Sequence, residues 1–125
     1  MTPYVSLWLR AFLMTQVVEV SVGWLLLWLI SRVRRDAVSF SPVFITFALL
    51  MASALTHPPL WFVLVRLRRV GLSYEQYVVV GELFVWVCEA LWYVFVLAPL
   101  RGRLFWALWF SLVLNGVSYW VGRCL

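Results

Sequence analysis

The sequence predicts an all-α, polytopic integral membrane protein: a compact bundle of four transmembrane helices joined by short loops. Hydrophobic residues make up 66% of the 125 residues and charged residues only 12%, whereas a soluble domain has about 45–50% apolar residues. The apolar residues form long runs bounded by arginine or proline, and a membrane-spanning helix needs about 20 such residues. These runs lack the alternating polarity of barrel strands, which excludes a transmembrane barrel.

The first two spans are predicted over residues 11–30 and 40–65. The first ends before a charged run at residues 31–36, and the second ends at an arginine-rich run at residues 66–69. Pro42 suits the first turn of a helix, where its missing N–H costs nothing.

A break or kink is predicted within the second helix at His57-Pro58-Pro59. Pro58 and Pro59 cannot donate the backbone hydrogen bonds of a helix and clash with the preceding turn. His57 precedes a proline and is expected to leave helical dihedral angles. Carbonyls freed at such a break can contact ions, as in the broken helices of transporters.

The third and fourth spans are predicted over residues 77–98 and 104–121, with Pro99 ending the third. Four spans and short loops use up the length, so residues 1–125 are expected to form a single multi-pass transmembrane domain.

The net charge of +5 arises from ten arginines and no lysine. The arginines flank the spans as interfacial anchors rather than clustering outside the membrane, so no nucleic-acid partner is expected. Four spans place five arginines on each side, which leaves the orientation undetermined. One side holds Arg10, Arg66, Arg68, Arg69 and Arg123, and the other holds Arg32, Arg34, Arg35, Arg101 and Arg103.

Four ionisable residues lie inside the predicted spans: Glu19, His57, Glu82 and Glu89. Burying a charge at the bilayer centre costs at least about 2.5–3.5 kcal/mol, so such residues usually face a bundle interior. At 1.5 Å per residue, Glu19, His57, Glu82 and Asn115 are all about 12–13 Å from the same side of the membrane, with Glu89 deeper. We therefore expect a polar layer and a buried site that binds an ion, a proton or a metal.

Neutral polar side chains accompany these residues, and they would either support the site or serve as hydrogen-bonding contacts between helices. They are Gln16, Thr56, Asn115 and Ser118. Glu75, Glu82 and Glu89 recur every seven residues along one face of the third helix, and Glu75 is expected to be solvated at the helix start.

Several chemistries suit these residues. A carboxyl group buried in a medium of low dielectric tends to hold a proton. A histidine can relay protons, and with two or three carboxylates it can bind a divalent metal ion such as zinc, manganese or iron. His57 with Glu82 or Glu89 is the candidate catalytic set for activating a water molecule. The established hydrolase motifs HExxH and GxSxG are absent, so the sequence leaves open whether the chain is an enzyme.

The segment Val18-Glu19-Val20, followed by Gly23, lies in the middle of the first span. With the chain length, the four spans and the balanced loop charge, it resembles the small multidrug resistance transporters. These are dual-topology dimers that exchange protons for cationic aromatic drugs at that glutamate. The resemblance implies a proton-binding role for Glu19. It covers about twenty residues and lacks that family's lysine after the glutamate and its glycine-rich third span, so it is an analogy only.

The sequence therefore predicts a small integral membrane protein whose buried Glu/His site binds a metal ion, a cation or a proton, with a link to transport. Two alternatives remain: an accessory subunit of a larger membrane complex, and an intramembrane hydrolase using His57 with a carboxylate. The expected partners are the lipid bilayer and either further copies of the chain or a larger complex.

Overall fold

The protein is a bundle of four long helices in the computed structural model, which describes residues 2–33 and 40–124 and contains no strand in that part of the chain. The helices are α1 (Pro3–Val33), α2 (Pro42–Pro58), α3 (Tyr74–Val96) and α4 (Arg103–Cys124). With α2 counted through its continuation to Val70, all four are long and apolar enough to cross a membrane. The predicted fold class is confirmed.

Helices α1 and α4 are longer than their predicted spans. Helix α1 begins at Pro3 rather than near residue 11, and α4 continues to Cys124 rather than ending at residue 121. Arg10 and Arg123 lie inside these helices and are exposed. A long arginine side chain can reach the interface while its backbone stays helical, so an arginine does not mark a helix end.

Helix α3 begins earlier and ends earlier than predicted. It starts at Tyr74 because Ser73 and Gln76 form a capping box, in which the Ser73 hydroxyl accepts from the Gln76 N–H at 3.2 Å and the Gln76 side chain accepts from the Ser73 N–H at 2.9 Å. It ends at Val96, two residues short of the prediction, and Ala98, which precedes Pro99, is disfavoured in the helical conformation. Glu75 is exposed in the first turn, as expected.

The predicted break in the second helix lies at the prolines, where the regular α-helix ends at Pro58 and helical turns with other hydrogen-bond patterns follow. His57 and Pro58 belong to α2, so the expectation that His57 leaves helical dihedral angles was wrong. One π-helical turn over Pro59–Val63 and a 3-10 helix over Leu64–Val70 then continue the segment. A π-bulge absorbs the lost proline hydrogen bonds within a helix, and Pro58 and Pro59 both keep helical dihedral angles.

Two tyrosine side chains from neighbouring helices hold the π-helical turn in place by hydrogen bonds. The Tyr77 hydroxyl donates to the Leu60 carbonyl at 3.1 Å, and the Tyr4 hydroxyl donates to the Trp61 carbonyl at 2.6 Å. These are the carbonyls in this region that take side-chain donors from neighbouring helices. The irregular turn is therefore fixed from both α1 and α3.

The apolar core occupies the half of the bundle where α1 and α3 end and α2 and α4 begin. It includes Leu26, Ile45, Leu49, Tyr93, Val96, Leu97, Phe110 and Leu114. Gly23 permits a close approach of α1 to α2, because a Cβ atom at this position would lie 2.5 Å from Leu49. Three indole N–H groups donate to a neighbouring helix: Trp24 to Thr46, Trp86 to Leu108, and Trp92 to Ala48.

Candidate functional site

A layer of polar side chains lies inside the bundle beside the apolar core, and we call it the polar layer. It consists of Glu19 on α1, Ser53 and Thr56 on α2, Glu89 on α3, and Asn115 and Ser118 on α4. Residues three apart share a helix face. Helices α2 and α4 therefore each present two polar groups on one face.

Glu19 lies between α2 and α4 and is only 1% exposed. Its carboxyl group accepts a hydrogen bond from the Ser53 hydroxyl on one oxygen. Its other oxygen accepts from the Ser118 hydroxyl at 3.2 Å. Both described partners of Glu19 are therefore neutral hydroxyl groups.

Glu89 is held in the same way and is also 1% exposed. The Thr56 hydroxyl donates to its Oε1 at 2.9 Å, and Asn115 Nδ2 donates to its Oε2 at 2.8 Å. Each of the two glutamates thus takes one donor from α2 and one from α4. The two carboxyl groups connect all four helices.

The electrostatics of this arrangement are unusual for a membrane interior. No arginine or histidine among the described residues donates a hydrogen bond to Glu19 or Glu89, and the two carboxyl groups interact electrostatically. Two bare anions so close in a low-dielectric interior would repel and would lack compensation for lost hydration.

A second row of contacts fixes the orientation of Asn115. Its Nδ2 also donates to the Ser111 backbone carbonyl at 2.9 Å, which identifies the amide nitrogen because a carbonyl only accepts. The Ser111 hydroxyl donates to the Trp86 carbonyl at 3.0 Å. Asn115 therefore presents a donor to Glu89 and has no free rotation to present its oxygen instead.

The sequence interpretation missed three polar residues of this region: Ser53, Ser111 and Tyr93. Ser53 and Ser111 lie one helical turn before Thr56 and Asn115, and that spacing was the available signal. The Tyr93 side chain is 1% exposed and interacts electrostatically with both glutamates, and its hydroxyl lacks a hydrogen-bond partner among the described residues. No pattern in the sequence distinguished Tyr93 from a packing aromatic residue.

His57 lies beside the polar layer without joining it. Its ring packs edge-on against Phe12 at 5.4 Å between centroids, and its buried Nδ1 has no hydrogen-bond partner in the described chain. Neighbouring residues on a helix point about 100° apart, so Thr56 faces Glu89 while His57 faces α1. The expected convergence of His57 with the three glutamates is not observed.

Gln16 is buried on α1, one turn before Glu19, and also stays outside the layer. Its Nε2 donates to the Leu50 carbonyl at 3.1 Å, and its Oε1 has no partner within the described residues. Gln16 thus links α1 to α2, as a hydrogen-bonding contact between helices does.

The depth argument placed Glu82 in the polar layer and Glu89 deeper, and the structure differs for both residues. Glu89 belongs to the polar layer, whereas Glu82 is half-buried two turns nearer the start of α3. The depth estimate measured distance along a straight helix and could not include the relative tilt and shift of packed helices. Glu82 interacts electrostatically with both buried glutamates.

Two cavities reach the layer from the outer surface of the bundle. One of about 250 Å³ lies between α3 and α4 and is lined by Glu82, Asn115 and Tyr119, among others. The other, of about 320 Å³, lies between α2 and α3 and reaches Thr56 and Glu89 past Leu55 and Trp92. Glu89 and its partners are therefore near the surface on two sides of α3.

Metal binding receives no support from the side-chain positions. Within residues 2–33 and 40–124, no three His, Cys, Asp or Glu side chains lie close enough together to hold a metal ion. Asp36 lies outside the described residues. Comparison of the chain with protein-family models, with curated proteins and with solved structures gave no match.

Proposed function

We propose that this protein is a small multi-pass membrane protein that binds a proton at the Glu19–Glu89 pair in the centre of its bundle. The observation that carries the proposal is the pair itself: two carboxyl groups, each 1% exposed, that interact electrostatically and accept hydrogen bonds only from neutral donors on α2 and α4. A shared positive charge resolves their repulsion.

A proton fits the described contacts better than a larger cation does. Both oxygens of Glu19 and both oxygens of Glu89 already accept a hydrogen bond. A metal ion or a sodium ion would need several of these oxygens as ligands and would have to displace their donors. A proton on a carboxyl oxygen requires only that one neighbouring hydroxyl group rotate from donating to accepting a hydrogen bond.

Glu19 is the better of the two positions for that proton. Both of its partners, Ser53 and Ser118, are hydroxyl groups, which can rotate to accept a hydrogen bond from a protonated carboxyl group. Asn115 Nδ2 can only donate and is held in place by Ser111, so it favours an ionised oxygen on Glu89. We therefore assign the proton to Glu19 and the negative charge to Glu89.

Exchange of this proton with water would pass Glu82. This residue is half-buried, borders the cavity between α3 and α4, and lies between exposed Glu75 and buried Glu89 on one face of α3. Acidic chains of this kind form proton relays in pumps and transporters. This route supports an extension of the proposal, in which proton binding is linked to transport.

Infrared spectroscopy of the purified protein in lipid at neutral pH tests the proposal, because a protonated carboxyl group absorbs separately from a carboxylate. We expect a protonated-carboxyl band that is lost in Glu19→Gln and shifted in Ser53→Ala. Glu75→Gln, which neutralises an exposed carboxylate on the same protein, is the matched control and should leave the band unchanged. Absence of the band in the unaltered protein, or its survival in Glu19→Gln, would contradict the assignment.

The two other predicted functions have weaker support from the described contacts. The hydrolase hypothesis requires His57 to act with a carboxylate, and none of the described hydrogen bonds joins them. The accessory-subunit hypothesis rests on surplus apolar surface, and exposed side chains such as Leu7, Val43 and Phe95 suit contact with lipid as well as with a protein. Co-purification of a stoichiometric partner would favour the subunit.

A further inference from the structure

A cavity of about 540 Å³ opens at the end of the bundle where α1 begins and the 3-10 helix ends. Tyr4, Trp61 and Phe62 form its aromatic wall, and Val65, Arg66 and Arg69 complete the lining. The hydrogen bond from the Tyr4 hydroxyl to the Trp61 carbonyl fixes the aromatic wall. The Tyr4 ring also packs against Trp61 at 5.7 Å and against Phe62 at 5.9 Å.

The 3-10 geometry directs Arg66 and Arg69 to the same side. A 3-10 helix has three residues per turn, so side chains three apart lie one above the other. Arg68 lies on a different face, with its guanidinium 5.5 Å from the centre of the Tyr74 ring. In the described part of the chain, neither Arg66 nor Arg69 has a hydrogen bond or an ion pair, so two positive charges in this cavity lack a counterion.

We propose that this cavity binds the phosphate group of an anionic phospholipid, with Arg66 and Arg69 on the phosphate. The guanidinium fork matches phosphate oxygens and makes paired, charge-assisted hydrogen bonds. Basic pockets between transmembrane helices recognise lipid headgroups in this way.

The aromatic wall selects a lipid rather than a free phosphate ion. Trp61 and Phe62 give the cavity an apolar surface that inorganic phosphate cannot use, whereas the glycerol and upper acyl region of a phospholipid can. The cavity also lies at the end of the second membrane span, where tryptophan and tyrosine meet the headgroup region. The proposal is independent of the buried glutamates, which are elsewhere in the bundle.

Native mass spectrometry of the detergent-purified protein, titrated with phosphatidylglycerol or phosphatidylcholine, measures this binding. We expect preferential binding of phosphatidylglycerol. We expect Arg66→Gln and Arg69→Gln each to weaken the binding of phosphatidylglycerol at least about tenfold, because each removes a hydrogen bond between charged groups. Arg68→Gln makes the same change of charge on the same helix. It should weaken binding at most about fivefold, because it removes only the general attraction of one surface arginine to an anionic lipid.

Three results would overturn the proposal. One is equal binding of the two lipids. The second is equal weakening by all three arginine substitutions, which would reduce the arginines to general anchors. The third is competition by inorganic phosphate at the concentration of the lipid, which would make this an ion site. The arginines are exposed, so the variants are expected to fold, and circular dichroism with a thermal melt in phosphatidylcholine checks this.

Discussion

Replacing Thr56 with valine tests the hydrogen bond that anchors Glu89. Valine has nearly the shape of threonine, so the substitution removes the hydroxyl group that donates to Glu89 Oε1 at 2.9 Å and leaves the packing in place. Hydrogen bonds between membrane-embedded side chains contribute about 0.6 kcal/mol on average and up to about 1.7 kcal/mol. Glu89 is 1% exposed, so the loss of this donor leaves its Oε1 poorly solvated.

The loss of unfolding free energy in Thr56→Val should therefore be about 1–1.7 kcal/mol, in the upper part of that range. Reversible unfolding in mixed micelles measures it. Thr46→Val is the matched control: it is the same substitution on the same helix, at a hydroxyl group that accepts from the Trp24 indole at 3.2 Å. Because that contact involves no charge, its loss should cost about 0.6 kcal/mol or less.

A double-mutant cycle with Glu89→Leu isolates the contact between the two side chains. In that background Thr56→Val should cost almost nothing, because the hydroxyl retains only contacts with carbonyls of its own helix, those of Ala52 and Ser53. If Thr56→Val cost the same unfolding free energy in the unaltered protein and in Glu89→Leu, the reasoning would be refuted. Equal costs for the substitutions at Thr56 and Thr46 would also refute it.

Two further predictions concern helix packing and His57. Gly23→Ala should cost about 1–3 kcal/mol of unfolding free energy, because the new Cβ would lie 2.5 Å from Leu49, whose side chain is itself buried. Gly116→Ala, with nothing within 4 Å of its Cβ, should be neutral or stabilise the helix by up to about 1 kcal/mol, and equal effects in the same unfolding assay would contradict this. His57→Phe should keep the protonated-carboxyl infrared band, since His57 packs against Phe12 and does not bond to a glutamate; loss of the band in a folded variant would place the histidine in the site.

The two glutamates are equally buried but have different hydrogen-bond donors, and that difference gives them separate roles in the proposal. Glu19 has two hydroxyl partners, whereas Glu89 has a hydroxyl group and an amide. An amide nitrogen cannot accept a hydrogen bond. Exchanging Asn115 for serine would give Glu89 the surroundings of Glu19, which offers a way to move the proton between them.

Sequence reasoning predicted most of the residues that form the polar layer but not its exact membership. Glu19, Thr56, Asn115 and Ser118 were all predicted and lie in the polar layer. The polar layer contains Glu89 rather than Glu82, and it does not contain His57, because of the tilt and rotation of the packed helices. Neither can be derived from the position of a residue along one helix.

The sequence by itself determined the class of the protein, the number of spans and the helix that carries each polar residue. These properties depend on local quantities: the apolar content of each run, the length needed to cross a bilayer, and the rise per residue of a helix. The proline pair in the second helix also predicted an irregular turn, although not its π-helical form.

Only the tertiary structure decided which polar groups meet. The rotation of each helix is set by contacts with its neighbours, such as Gly23 against Leu49, and one step along a helix turns a side chain by about 100°. That single step separates Thr56, bonded to Glu89, from His57, packed on Phe12. The chemistry of the site depends on this rotation, which the packing of all four helices fixes together.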